Sequence, residues 1–170
     1  MSRPKQGDFA PYAITYVEKV KGEHVADLVN GYSAFFNEFI NALPEAKADY
    51  AYAPGKWTVK DVIQHMIDTE RVFIYRALRI SRKDKTPLAG FEENDYAANA
   101  SASTRSLEDL KQEFVDLRKS TDRFFLALNE EQLAQAGTAS QQRVTANALA
   151  FISFGHIAHH IEIFKERYGV

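Results

Sequence analysis

The stretch "FGHIAHHIEIFKERY", residues 154–168, places three of the chain's five histidines within five positions. Phe154, Ile157, Ile161, Ile163 and Phe164 surround them, so imidazoles stand where a core helix would carry leucines. At about 100° per residue, with His156 set at zero, Leu149, Ile152, His160 and Ile163 all fall within about 40° of it. His156 and His160 therefore sit in the middle of an apolar stripe, and His159 lies about 60° to one side. A single histidine on such a face is usually a core residue satisfied by one hydrogen bond. Two in register are different, because each brings two ring nitrogens that must be satisfied away from water. The i, i+4 spacing puts both rings one turn apart, where they can reach one metal ion.

Several metal motifs are excluded by residue type. A zincin needs a glutamate after its first histidine, and that slot holds Ile157. A ferritin-like di-iron site needs Glu-x-x-His on two helices, and the chain contains none. There is no cysteine, which removes thiolate zinc sites, disulfides and thiolate catalysis together. What remains is a mononuclear nitrogen-ligated site that needs a third ligand from another helix. His65, in "WTVKDVIQHMIDTERVF", lies about 100° from the stripe centre at Met66, on the edge of a buried face. Taken alone it is a boundary histidine; beside His156 and His160 it is the natural partner. His24 begins a helix and reads as solvated.

Glu70 falls about 40° from Met66, inside the apolar face, and about 140° from His65. A carboxylate there must be paired or protonated. It reads as structural, paired with an arginine such as Arg118, rather than as a ligand. Asp68 and Glu162 read as solvated.

The same periodicity organises the whole chain. A first long helix runs from His24 to Leu43 and stops at Pro44, after a short turn or helix over Tyr12–Val20. Residues 44–57 are a turn-rich connection. A second helix opens at Thr58, with Asp61 three residues on, and runs through Arg82. A polar segment, 83–105, follows and holds a short helix near Glu92–Ala100; at about 23 residues it is longer than bundle connections usually are, and such loops are often functional. A third helix runs from Ser106 to Leu128. A fourth runs from Val144 to Tyr168 and ends at Gly169. Four amphipathic helices without strand alternation predict an all-α four-helix bundle in one domain spanning 1–170.

Composition agrees. The chain has 170 residues, 45% hydrophobic and 26% charged, with a net charge of -2. That is the profile of an ordinary globular domain, with no basic face for nucleic acid. The start "MSRPKQGDFAPY" has no signal-like apolar run, and no stretch approaches a membrane span, so a cytoplasmic, soluble protein is expected.

The chain resembles the DinB/YfiT-like metalloenzymes. The resemblance is carried by "PGKWTVKDVIQHMIDTERVFIYRAL" (54–78), "GHIAHHIEIFKERY" (155–168) and the long "LAGFEENDYAANAS" connection (88–101), and extends over nearly the whole chain. It implies an up-down-down-up bundle with one crossover connection. It implies a metal triad of one histidine in the second helix and an HxxxH pair in the fourth, which match His65, His156 and His160. It also implies zinc or nickel as the ion, a homodimer, and a small-molecule substrate. Some such proteins are S-transferases that use an external low-molecular-weight thiol, one branch isomerises maleylpyruvate, and others are hydrolases.

Three neutral imidazoles leave an ion its full charge and open positions. Such an ion can lower the pKa of bound water toward ~7 or activate a thiolate, giving a hydrolase or a transferase. No general base stands beside the histidines in the sequence; Asp95 of the 83–105 segment is one candidate. The rival expectation is a non-enzymatic metal-binding or scaffold bundle.

Overall fold

Ala146–Ile163 (α7) explains the architecture, because it has almost no polar face. Every residue from Ala146 to Ile157 is buried. A helix that is apolar all round must be enclosed. In the computed structural model, which describes residues 1–170, it is enclosed by Ile14–Val17 (α1), Val25–Asn41 (α2) and Val59–Ser81 (α3). The fourth helix of the sequence reading is thus central rather than amphipathic until its last two turns.

Leu107–Leu126 (α5) completes the bundle. α2 packs on α5 and α7, and α3 packs on the same two, so α2 and α3 stand diagonally. The bundle is all-α and up-down-down-up, and its parallel pair α3 and α5 is joined by a crossover that contains Glu93–Asn99 (α4). A short helix, Glu130–Leu133 (α6), follows α5. The helix starts are fixed by local chemistry: the Thr58 hydroxyl accepts from Asp61 N at 3.2 Å while Asp61 Oδ2 accepts from Thr58 N at 2.9 Å. Ser106 caps α5 and Thr145 caps α7 in the same way, each accepting from the amide three residues on. No helix is long and apolar enough to cross a membrane.

Two departures from the sequence reading occur before α7. Residues Ala136–Ala139 (β1) and Gln142–Thr145 (β2) form an antiparallel hairpin, so Val144 belongs to a strand and the helix begins at Ala146. The hairpin is invisible to periodicity for physical reasons. Its strands are four residues each, and "AGTA" has no large apolar residue to alternate. Its two-residue turn places Ser140 and Gln141 at φ 48° and 63°, where Asn-Gly would have signalled the turn. The crossover uses this hairpin as an anchor: Leu88 N donates to Thr138 O at 2.9 Å and Ser140 N to Leu88 O at 3.0 Å. Arg76 adds bonds to Ala89 O at 2.7 Å and Ser140 Oγ at 3.0 Å.

The core contains the ion pair expected at Glu70. Arg118 Nη1 lies 3.0 Å from Glu70 Oε1, with the two side chains 0% and 2% exposed. The guanidinium also covers the Phe154 ring at 4.3 Å and pairs with Asp122. Removing one partner of such a pair strands the other charge without water. Arg118→Ala is therefore expected to lower unfolding free energy by about 3–5 kcal/mol. Arg118→Ala combined with Glu70→Leu should recover part of that loss. Urea unfolding measures both; an Arg118→Ala protein as stable as the parent would show that the pair is not what holds this part of the core.

Candidate metal centre

Two helices bring the histidines together. His65 projects from the second turn of α3, seven residues past the cap at Thr58. His156 and His160 project from α7, the helix packed most extensively against α3. His65 Nε2 lies 3.1 Å from His156 Nε2, and His160 Nε2 lies 3.1 Å from the same atom. One ring nitrogen from each residue lies within 4.8 Å of the other two. Ligands about 2.0–2.1 Å from a tetrahedral ion stand about 3.3 Å apart, so the 3.1 Å spacings suit one ion. All three side chains are buried.

The surroundings keep these rings neutral. The Trp57 ring lies 4.8 Å from that of His65, and Phe73 and Tyr16 lie 6.0 Å and 5.5 Å from that of His156. Burial among these rings holds His65 down at about 4. Burial, reinforced by the neighbouring histidines, holds His156 and His160 well below the ordinary imidazole range. At neutral pH each ring then presents a lone pair, the form a metal ion requires. The Nε2 atoms converge on one another, and three nitrogens with few protons among them cannot all be satisfied mutually. The Nδ1 atoms point outward: that of His65 faces Thr69 Oγ1 at 3.5 Å, and that of His160 is buried without a partner. The donor set fits a single borderline cation with positions left open.

His159 is set apart, as its phase implies. It is half-buried and lines a cleft of ≈ 310 Å³ together with His160. Tyr52, Trp57 and Tyr168 form aromatic walls of this cleft, while Lys56, Arg167 and Glu93 give it charge. The Tyr168 hydroxyl donates to Trp57 O at 2.7 Å, so the end of the last helix holds the 44–57 connection over the site. That end is a π-turn over Phe164–Tyr168, closed by Gly169 at φ 65°. Burial pushes the Tyr16 hydroxyl above its ordinary range, and the nearby Glu93 carboxylate pushes it further the same way, so it stays a donor at neutral pH.

Asp95 does not take the place suggested for it. It is exposed on α4, and the residues of that helix on the cleft are Glu93 and Asn94. A short helix can turn only part of its circumference to the site, and this register is set by the anchored crossover. Trp57, Tyr16 and Glu93 had no sequence signal of their own. His24 is the N-cap of α2, exposed, with Nδ1 3.0 Å from Met1 O.

A helical bundle with a buried three-histidine cluster open to a cleft is the class of protein defined here. The chain belongs to the DinB superfamily, which it matches over residues 34–164. Its fold is similar to that of YfiT from Bacillus subtilis, described as a probable metal-dependent hydrolase with an unusual four-helix bundle topology; the TM-score is 0.66 at 16% identity, covering 98% of this chain and 93% of that one. It is also similar to a mycothiol-dependent maleylpyruvate isomerase, with a TM-score of 0.68 at 14% identity, covering 81% of this chain and 58% of that one. No curated protein matches it by sequence.

Two outcomes follow. Protein given excess Zn²⁺ or Ni²⁺ and then desalted should retain about one equivalent, and His156→Ala and His160→Ala should each lose it. His159→Ala should weaken affinity by no more than about 10–100-fold, the range for residues beside a ligand. Chelator competition with circular dichroism as a folding check decides this; loss in His159→Ala with retention in His160→Ala would redraw the triad.

The second outcome concerns the metal-free protein. Its unfolded chain binds protons at the ordinary imidazole value, 6.5, which the native rings refuse until far lower pH, about 4 for His65. Stability must therefore rise with pH across this window and level off above it. The unfolding midpoint should fall between about pH 7 and about pH 5, and the slope should be shallower in His65→Leu. An equal slope in the variant would contradict the depressed ring.

Proposed function

We propose that this protein is a metal-dependent enzyme in which His65, His156 and His160 hold one divalent ion, zinc or nickel. The reaction is transfer of the sulfur of an external low-molecular-weight thiol onto a small electrophile. The observation that carries the metal assignment is the convergence of three buried, neutral imidazole nitrogens on one point beside a cleft. When bound, such an ion supplies positive charge that favours the thiolate and polarises the electrophile.

The chain's own residues do the remaining work. No cysteine is present, so the sulfur nucleophile comes from outside. The aromatic walls Tyr52, Trp57 and Tyr168 exclude water from one side of the cleft. Lys56 and Arg167 at its edge complement the carboxylates that common cellular thiols carry. In the transfer a carbon–sulfur bond forms, the bond to the leaving group breaks, and the thiol proton departs with that group.

Hydrolysis is the second reading. It is favoured by the likeness to YfiT, which extends over 93% of that chain. A panel of electrophiles and chromogenic esters, assayed with zinc- or nickel-loaded protein with and without glutathione or cysteine, separates the two. Metal-dependent conjugation that requires thiol is expected, and it should vanish in His160→Ala. Ester cleavage without thiol would replace transfer by hydrolysis. Inactivity across the panel would leave a metal-binding bundle without catalysis.

A further inference from the structure

Tyr16 lies before residue 34, outside the span shared with the superfamily, yet it walls the histidine cluster. Its place is enforced by a close backbone approach. A Cβ on residue 155 would lie 1.9 Å from Tyr16 O, so only glycine lets α1 settle on α7 at this point. Gly155 immediately precedes His156, so this docking sets α1 against the turn that carries that histidine. The end of α1 is held as well. Arg3 donates to Val17 O, to Val20 O at 2.8 Å and to Gly22 O at 3.1 Å, while Val17 and Val20 are buried.

The ring stands near-perpendicular to two histidines, at 71° and 5.5 Å from His156 and at 72° and 5.7 Å from His159. Phenylalanine would pack the same wall, as Phe73 does against the same ring. What tyrosine adds is a hydroxyl, and none of the chain's hydrogen bonds uses it. The half-buried side chain lines a small pocket with Phe73 beside His156, and its other neighbours, His159 and Glu93, line the adjoining cleft. An ion and a neutral donor on adjacent walls make two contacts suited to one oxygen-bearing group.

We infer that Tyr16 is a substrate-binding residue whose hydroxyl donates to a carbonyl or carboxylate oxygen of the molecule drawn to the ion. This rests on the metal centre proposed above, and it narrows the substrates to small electrophiles that carry such an oxygen.

The test uses the full chain loaded with Co²⁺, whose visible spectrum reports both occupancy of the histidines and entry of a further ligand. Acetate is the oxygen probe and imidazole the control without an oxygen acceptor. Tyr16→Phe should load Co²⁺ like the parent and bind imidazole equally, but bind acetate about 10-fold or more weakly, the loss expected for one hydrogen bond to a charged group. Normal loading with unchanged acetate affinity would overturn the role of Tyr16 and leave the metal centre standing. Equal weakening of acetate and imidazole, or poorer Co²⁺ retention in Tyr16→Phe, would overturn it too, because the residue would then only support the cluster. Failure of the parent to load Co²⁺ would remove the metal centre and this inference with it.

Discussion

The Nε2 atoms of His65, His156 and His160 face one another in a space walled by Trp57, Phe73 and Tyr16. Little water reaches them there, and no carboxylate joins the group. Protonation would bury positive charge beside two like rings, so the rings stay neutral where their Nε2 atoms converge. Much of the fold serves this arrangement. α7 is enclosed because it has no polar face, and enclosure is what dries its histidines. The cap on Thr58 fixes where α3 begins, and hence which turn carries His65.

The second buried polar group of the bundle obeys the opposite rule. Glu70 is also desolvated, one turn further along α3, but Arg118 neutralises it and Phe154 covers the guanidinium. There the carboxylate has an opposite charge against it, and both side chains are almost wholly buried. The histidine cluster is unmatched and borders open space on the His160 side. Burial with an opposite charge makes structure; burial without one suits the cation proposed for the histidines.

Pieces far apart in the chain meet at this place. The N-terminal segment contributes Tyr16 through the gap at Gly155. The 44–57 connection contributes Trp57, held by the Tyr168 hydroxyl. The crossover contributes Glu93, with its course fixed by the hairpin through Leu88 and Arg76. Two helices set the histidines, while less regular segments shape the approach to them. That division suits the metal centre proposed above, whose ligand geometry must be fixed and whose substrate contacts need not lie on the bundle itself.

The histidines, the helices and the Glu70–Arg118 pair were legible in the sequence because helical phase is a local property. Residues 156 and 160 share a face wherever the helix lies, and Glu70 sits in an apolar stripe whatever packs on it. The hairpin was not legible, because a turn without Asn or Gly, a first strand of alanine, glycine and threonine, and a second of only four residues carry no periodic signal. Nor was the enclosure of α7, which depends on which other helices surround it. Tyr16, Trp57 and Glu93 likewise became part of the site only through contacts between segments that no spacing along the chain encodes. Sequence alone determined which side chains each helix would turn inward. Tertiary packing decided which of them would meet, how dry they would be, and what would stand at the opening.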